Sequence, residues 1–131
     1  MIISPLRVPK NKREDKWFTL GLNQYRNEHY QTLNNAKKKY KELMYPQIQK
    51  LPIYNQIHLT YILYPKTRHL TDLDNICSVH AKMFQDALVE YGKLEEDNYL
   101  FIPRVVYEFG SIDKENARCE IHIKELDPSD L

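Results

Sequence analysis

The sequence predicts an α+β fold, a single small domain in which a mixed β-sheet of about four strands carries two main helices packed on it. Three observations predict it. Strand-like and helix-like segments follow one another along 131 residues in the order strand, helix, strand, helix, strand, strand. The helical segments repeat apolar residues at spacings of three and four. The strand-like segments are short runs of β-branched and aromatic residues bounded by Gly, Pro or polar clusters.

Trp17 to Leu20 is β-prone and runs into Gly21, which predicts a first strand ending in a turn. A polar stretch with Tyr25, His29 and Tyr30 follows. From Thr32 helix formers dominate, and Leu33, Ala36, Tyr40, Leu43 and Met44 give a surface helix one apolar stripe up to Pro46. Residues 57 to 64, Ile-His-Leu-Thr-Tyr-Ile-Leu-Tyr, form a second strand that Pro65 stops. After Asp74, the residues Ile76, Val79, Met83, Ala87, Leu88 and Tyr91 recur at helical spacing, and Gly92 suits a C-terminal cap. Residues 99 to 109 and 119 to 124 read as two last strands joined by a polar hairpin loop, with a loose tail over 127 to 131. No repeat or linker divides residues 1 to 131.

A hydrophobic content of 42% with 10 Tyr excludes a disordered chain. The net charge of +1 leaves any attraction for a polyanion to local clusters. Three exist: Lys10, Lys12, Arg13 and Lys16; Lys37, Lys38, Lys39 and Lys41; and Lys66, Arg68 and His69. Each by itself is equally what a solvated face looks like. Cys77 and Cys119 lie far apart in apolar surroundings without zinc-site spacing and read as reduced core residues. The opening Met-Ile-Ile-Ser-Pro-Leu is too short for the apolar region of a signal peptide, and no later stretch is apolar enough to span a bilayer. A soluble, cytoplasmic protein without membrane partner or organic cofactor is expected.

The sharpest local feature is Thr71-Asp72-Leu73-Asp74-Asn75, set between the end of a strand and the start of a helix. Helix capping accounts readily for one carboxylate there, because a side-chain oxygen at that position accepts a backbone N–H. Two carboxylates at such a turn can also converge on a hard cation such as Mg²⁺. A second acidic group, Glu95-Glu96-Asp97, follows the helix, where the dipole disfavours negative charge unless it is solvated or neutralised. If the helix returns this group to the Asp72 loop, the two together make a nuclease-like cation site. Between them lie Lys82 and Asp86, four residues apart, which form either a modest surface ion pair or, through Lys82, a group that stabilises charge on a phosphate. His80 reads as a core or surface histidine rather than a ligand.

The combination Asp72-Leu73-Asp74-Asn75, then Lys82 to Leu88 with Asp86, then Gly92 and Glu96-Asp97 resembles the signature of the RusA family of Holliday junction resolvases. The resemblance covers mainly residues 71 to 101. It implies a small dimeric α+β endonuclease, of a kind common in bacteriophages and prophages, that makes paired nicks in four-way DNA junctions with Mg²⁺ or Mn²⁺. It further implies that Asp72, Asp74 and Asp97 hold the metal, that Lys82 is the catalytic lysine, and that Asn75, Asp86 and Glu96 sit around them. Lys10, Lys12, Arg13, Lys37, Lys38, Lys66 and Arg68 would then contact DNA phosphates. The chain departs from the pattern in one respect: the family's lysine follows the Asp-Asn pair more closely, at a position nearest Ser78 here. Four residues are about one helical turn, so Lys82 keeps the face but lies about 6 Å further on. Three other readings stay open: a junction-binding protein without turnover, a metal-dependent nuclease for flaps or forks, and an interaction module whose acidic loops are merely solvated.

Overall fold

In the computed structural model, which describes residues 1 to 127, the chain runs β1 (Ile2–Ser4), β2 (Arg7–Pro9), β3 (Trp17–Thr19), α1 (Leu22–Asn27), α2 (Tyr30–Ile48), β4 (Ile57–Tyr64), α3 (Leu73–Glu90), β5 (Arg104–Phe109) and β6 (Arg118–Glu125). The fold is α+β, with a four-stranded mixed sheet and two main helices. A separate β2–β3 hairpin joins Arg7 to Thr19 and Pro9 to Trp17. Residues 128 to 131, most of the expected tail, lie outside the described residues, among which no helix is long and apolar enough to cross a membrane.

The sheet order is β1-β6-β4-β5. β4 alternates as its sequence requires: Ile57, Leu59, Tyr61 and Leu63 are buried, and His58, Thr60, Ile62 and Tyr64 face the other side. β6 pairs antiparallel with β4, whereas β5 runs parallel to it. The hairpin expected between the last two strands is therefore replaced by two strands flanking β4 on opposite edges. The cause lies upstream, because α3 carries the chain back to the beginning of β4, from where the next strand can only run in the same direction. The loop after β5 then crosses the end of β4, with the Gly110 N–H on the Leu63 carbonyl (2.9 Å) and the Asp113 N–H on the Pro65 carbonyl (2.8 Å).

Two further expectations are corrected, and two strands are added. Residues 99 to 103 are not strand: the Asn98 carbonyl accepts from the N–H groups of both Phe101 (3.1 Å) and Ile102 (2.9 Å), which makes a turn that delays β5 to Arg104. Helix α2 passes through Pro46 to Ile48, because its buried stripe continues without a break at a strict spacing of four, Ala36, Tyr40, Met44 and Ile48, and this leaves Leu43 exposed. β1 and β2 went unpredicted because each is only three residues long and, with Ser4, Arg7 and Pro9 among their residues, lacks the aromatic pair that marks β3.

Helix α3 ends as Gly92 predicts. Gly92 has φ 73, its N–H bonds the Val89 carbonyl (3.0 Å), and the Lys93 N–H bonds the Leu88 carbonyl (2.9 Å), a Schellman closure. Val79, Met83, Phe84, Ala87 and Leu88 bury its apolar face in the core. At roughly 25 cal/mol per Å² of apolar surface removed from water, each such large side chain contributes about 2 kcal/mol.

One polar chain crosses this core. Ser4 Oγ shares hydrogen bonds with the Tyr40 hydroxyl (2.7 Å) and with His80 Nδ1 (2.6 Å), tying β1, α2 and α3 together. His80 is thus a core histidine, and its Nε2 is buried without a partner. Burial pushes its pKa down to about 3. The unfolded chain binds a proton near pH 6.5 that the folded chain refuses, so stability falls as pH drops from about 6.5 toward 3. By pH 4.5 this one group should cost about 2–3 kcal/mol. His80→Asn keeps a polar atom near the Nδ1 position and removes the titration. Urea unfolding of the wild type and the variant from pH 7 to 4.5 should show a clearly flatter pH dependence for the variant.

Candidate metal and phosphate site

Asp72 is the N-cap residue of α3, with extended backbone (φ −73, ψ 141), and its carbonyl accepts the Asn75 N–H (3.1 Å). Its side chain makes no capping hydrogen bond. Asp74, in the first turn, is exposed, and neither carboxylate has a hydrogen bond or ion pair with another of the described residues. Capping therefore accounts for neither side chain. Both sit at the N-terminal end of α3, where the helix dipole presents its positive pole. They line an open cleft of about 690 Å³ together with Asn23, Arg26, Asn27 and Leu70.

Asn75 builds that cleft rather than lining it passively. Its Oδ1 accepts the Leu22 N–H (3.1 Å), and its Nδ2 donates to Thr71 Oγ1 (3.1 Å). Helix α1 begins at Gly21, which has no side chain to cap with, so Asn75 caps α1 from another element. The approach is close. A Cβ on Gly21 would meet Ile76 Cδ1 at 3.6 Å and the Asn75 carbonyl oxygen at 3.8 Å. Ser78, the position nearest the family's lysine spacing, spends its hydroxyl on the Asp74 carbonyl.

Lys82 lies about two turns beyond Asp74 along α3 and shares a second cleft, of about 240 Å³, with Tyr25, Lys37, Lys41, Asp86 and Asp97. The ammonium groups of Lys37 and Lys82 stand over the Tyr25 ring, at 5.4 and 6.0 Å from its centroid. Lys82 does not pair with Asp86 as helical spacing suggests. Asp86 pairs with Lys41 of α2 (2.8 Å), which also reaches Glu90 (3.2 Å), and this leaves Lys82 without a carboxylate partner among the described residues. Lys41 keeps its proton more firmly than an ordinary lysine, since hydrogen bonds to Asp86 and Glu90 outweigh its partial burial.

The two clefts lie on either side of α1, whose residue Tyr25 lines one and whose residues Asn23, Arg26 and Asn27 line the other. The structure therefore joins Lys82 with Asp97, and Asp72 with Asp74, but does not join Asp97 to the Asp72–Asp74 pair. Among the described residues no three His, Cys, Asp or Glu side chains are grouped to hold a metal. Asp72 and Asp74, which line one cleft, are the residues that would hold a single divalent cation, because Mg²⁺ needs only one or two carboxylates and takes water and phosphate oxygens for the rest. Glu95 and Glu96 are exposed next to Asp97.

The expected DNA-contacting residues divide in the same way. Lys12 and Arg13 are exposed on the β2–β3 loop, Lys38 on α2, and Lys66 and Arg68 on the loop that leads to Asp72. Lys10 is held by Glu28 (2.7 Å). Sequence reasoning missed Arg26, Asn23 and Asn27, because a six-residue helix with no buried residue carries no periodic signal. Comparison with models of protein families and with curated proteins finds no match for this chain.

Removing the Asn75 side chain should loosen α1. Asn75→Ala is expected to cost about 1–2 kcal/mol of stability, the range for a lost cap and its hydrogen bonds. It should also speed amide exchange at Leu22 well beyond that at Leu88, as followed by hydrogen-exchange NMR.

Proposed function

We propose that this protein is a Mg²⁺-dependent, structure-specific endodeoxyribonuclease that resolves four-way DNA junctions by paired nicks, with Mn²⁺ able to replace Mg²⁺. The observation that carries the proposal is the free carboxylate pair Asp72 and Asp74 at the start of α3, followed along that helix by the unpaired Lys82, in the order of the RusA-type pattern. Action in the cytoplasm of a bacterial host, on a phage or prophage gene's behalf, goes with this reading.

Asp72 and Asp74 would hold the cation, whose chemistry there is to activate water and offset charge on the scissile phosphate. Arg26 lines the same cleft and can hold a phosphate oxygen by charge-assisted hydrogen bonds. Lys82 and Lys37 present ammonium groups to the neighbouring cleft, where they can stabilise the negative charge that develops on a phosphate or leaving oxygen. Asp97 would tune that lysine cluster or, after a shift of α1, join the carboxylate pair. Lys12, Arg13, Lys38, Lys66 and Arg68 would bind phosphates along the junction arms without reading sequence. Paired nicking requires two symmetry-related sites, so the active form would be a homodimer.

The separation of Asp97 from Asp72 and Asp74 favours a second reading, a branched-DNA-binding protein with weak or no turnover. A cleavage assay on a synthetic four-way junction, a flap and a linear duplex, with Mg²⁺, Mn²⁺ or EDTA, decides between them. Metal-dependent nicking of the junction alone is expected, lowered by at least about a hundred-fold in Asp74→Asn and in Lys82→Ala. Tight junction binding without nicks would establish the second reading instead, and nicking of the flap alone would change the substrate. Charge removal at Arg13 or Arg68 should weaken binding to all junction sequences alike and lower the salt dependence by about one counterion each.

A further inference from the structure

The core side of the sheet is covered by helices, and none of the described residues covers the opposite side. That side carries His58, Thr60 and Ile62 on β4, Arg104, Val106 and Glu108 on β5, and Glu120, His122 and Lys124 on β6. All but Glu120 retain solvent exposure, and the surface forms a shallow depression of about 420 Å³. A sheet with one bare face of this size lacks the second layer that completes a two-layer architecture.

The charges on the bare face are ordered. Register places Arg104, His58 and Lys124 side by side in one row across the three strands. Two residues further along, Val106, Thr60 and His122 form a second row, and two further still Glu108, Ile62 and Glu120 form a third. One end is thus basic, the other acidic, and the centre small and uncharged. Arg104 and Glu108 stand about 13 Å apart, at 3.3 Å per residue. Neither has an ion pair among the described residues, whereas Glu120 is already held by Arg118 (2.7 Å) and His122 (3.1 Å).

From this we infer that the bare sheet face is the interface with a second copy of the chain, packed face to face about a two-fold axis that runs across the strands through the Val106–Thr60–His122 row. An axis in that direction reverses the strands, sets Arg104 against Glu108 of the second copy and the reverse, and brings each Lys124 to the Glu120 end. The other in-plane axis, along the strands, would set Arg104 against Lys124, whose like charges repel, and would leave Glu108 facing Glu120, which Arg118 already holds. The charge pattern therefore selects one of the two aligned sheet packings. Thr60 and Val106 meet their own counterparts at the axis, as an isologous contact requires. This interface supplies the second copy that paired nicking needs, yet it stands or falls by the sheet face alone.

Sedimentation equilibrium of the full chain over a concentration series, at low and high salt, tests it. The wild type should be a dimer that weakens with salt. Arg104→Glu and Glu108→Arg, both exposed and so harmless to folding by circular dichroism, should each weaken the dimer by about a hundred-fold or more. The double exchange Arg104→Glu with Glu108→Arg should restore it, because the pairs re-form with their signs swapped. A wild type that stays monomeric at every concentration overturns the inference, as does a dimer indifferent to both single reversals. A monomer whose junction affinity falls in Arg104→Glu would overturn it in favour of a polyanion on this face. Failure of junction cleavage with the dimer and its charge rescue intact would sink the nuclease reading and leave this one.

Discussion

Two parallel strands cannot be joined by a tight turn, and β4 and β5 are joined through the full length of α3. Almost everything else in the molecule depends on that crossover. Because α3 must lie on the sheet to return the chain, its Phe84, Ala87 and Leu88 are buried. Because it starts where β4 ends, its first turn, with Asp72 and Asp74, is fixed at one rim of the sheet. The same helix thus organises the core and presents the acidic pair, and a change in its packing would be felt at both.

Charge is distributed to match this geometry. The N-terminal end of α3 offers a positive dipole to two carboxylates that no donor among the described residues occupies. Midway along, Lys41 neutralises Asp86 and Glu90, and this frees Lys82. These surface pairs add little to stability, on the order of a few tenths of a kcal/mol each. Their effect is to leave a cluster of ammonium groups around Asp97 with a net positive sign, next to a cleft with a net negative one. Between the two stands α1, a six-residue helix without a buried residue, held by Asn75.

The sheet shows the same division between what packs and what waits. Its core face is filled by Tyr61, Leu59 and Ile121, while its other face is polar, ordered in charge and uncovered. On that face Arg118 lies over the Tyr64 ring (4.1 Å) and clamps Asp113 and Glu120, which stiffens the loop between β5 and β6. A rigid loop there keeps the acidic row in register with the basic one.

Periodicity alone located α2, α3, β4 and β6, because each is long enough for its apolar residues to repeat, and Gly92 marked the end of α3 by the one conformation it permits cheaply. The fold class and the Asp72–Asp74 motif at a helix start were legible for the same local reason. Partners were not. That β5 lies parallel to β4 instead of forming a hairpin with β6, that Asp86 turns to Lys41 and not to Lys82, that Asn75 caps α1, and that Asp97 sits with the lysines and not with Asp72 are all decided by contacts between residues distant in the chain. A sequence fixes local propensity through neighbours a turn away, but which surfaces meet depends on how whole elements pack, and only the tertiary structure carries that.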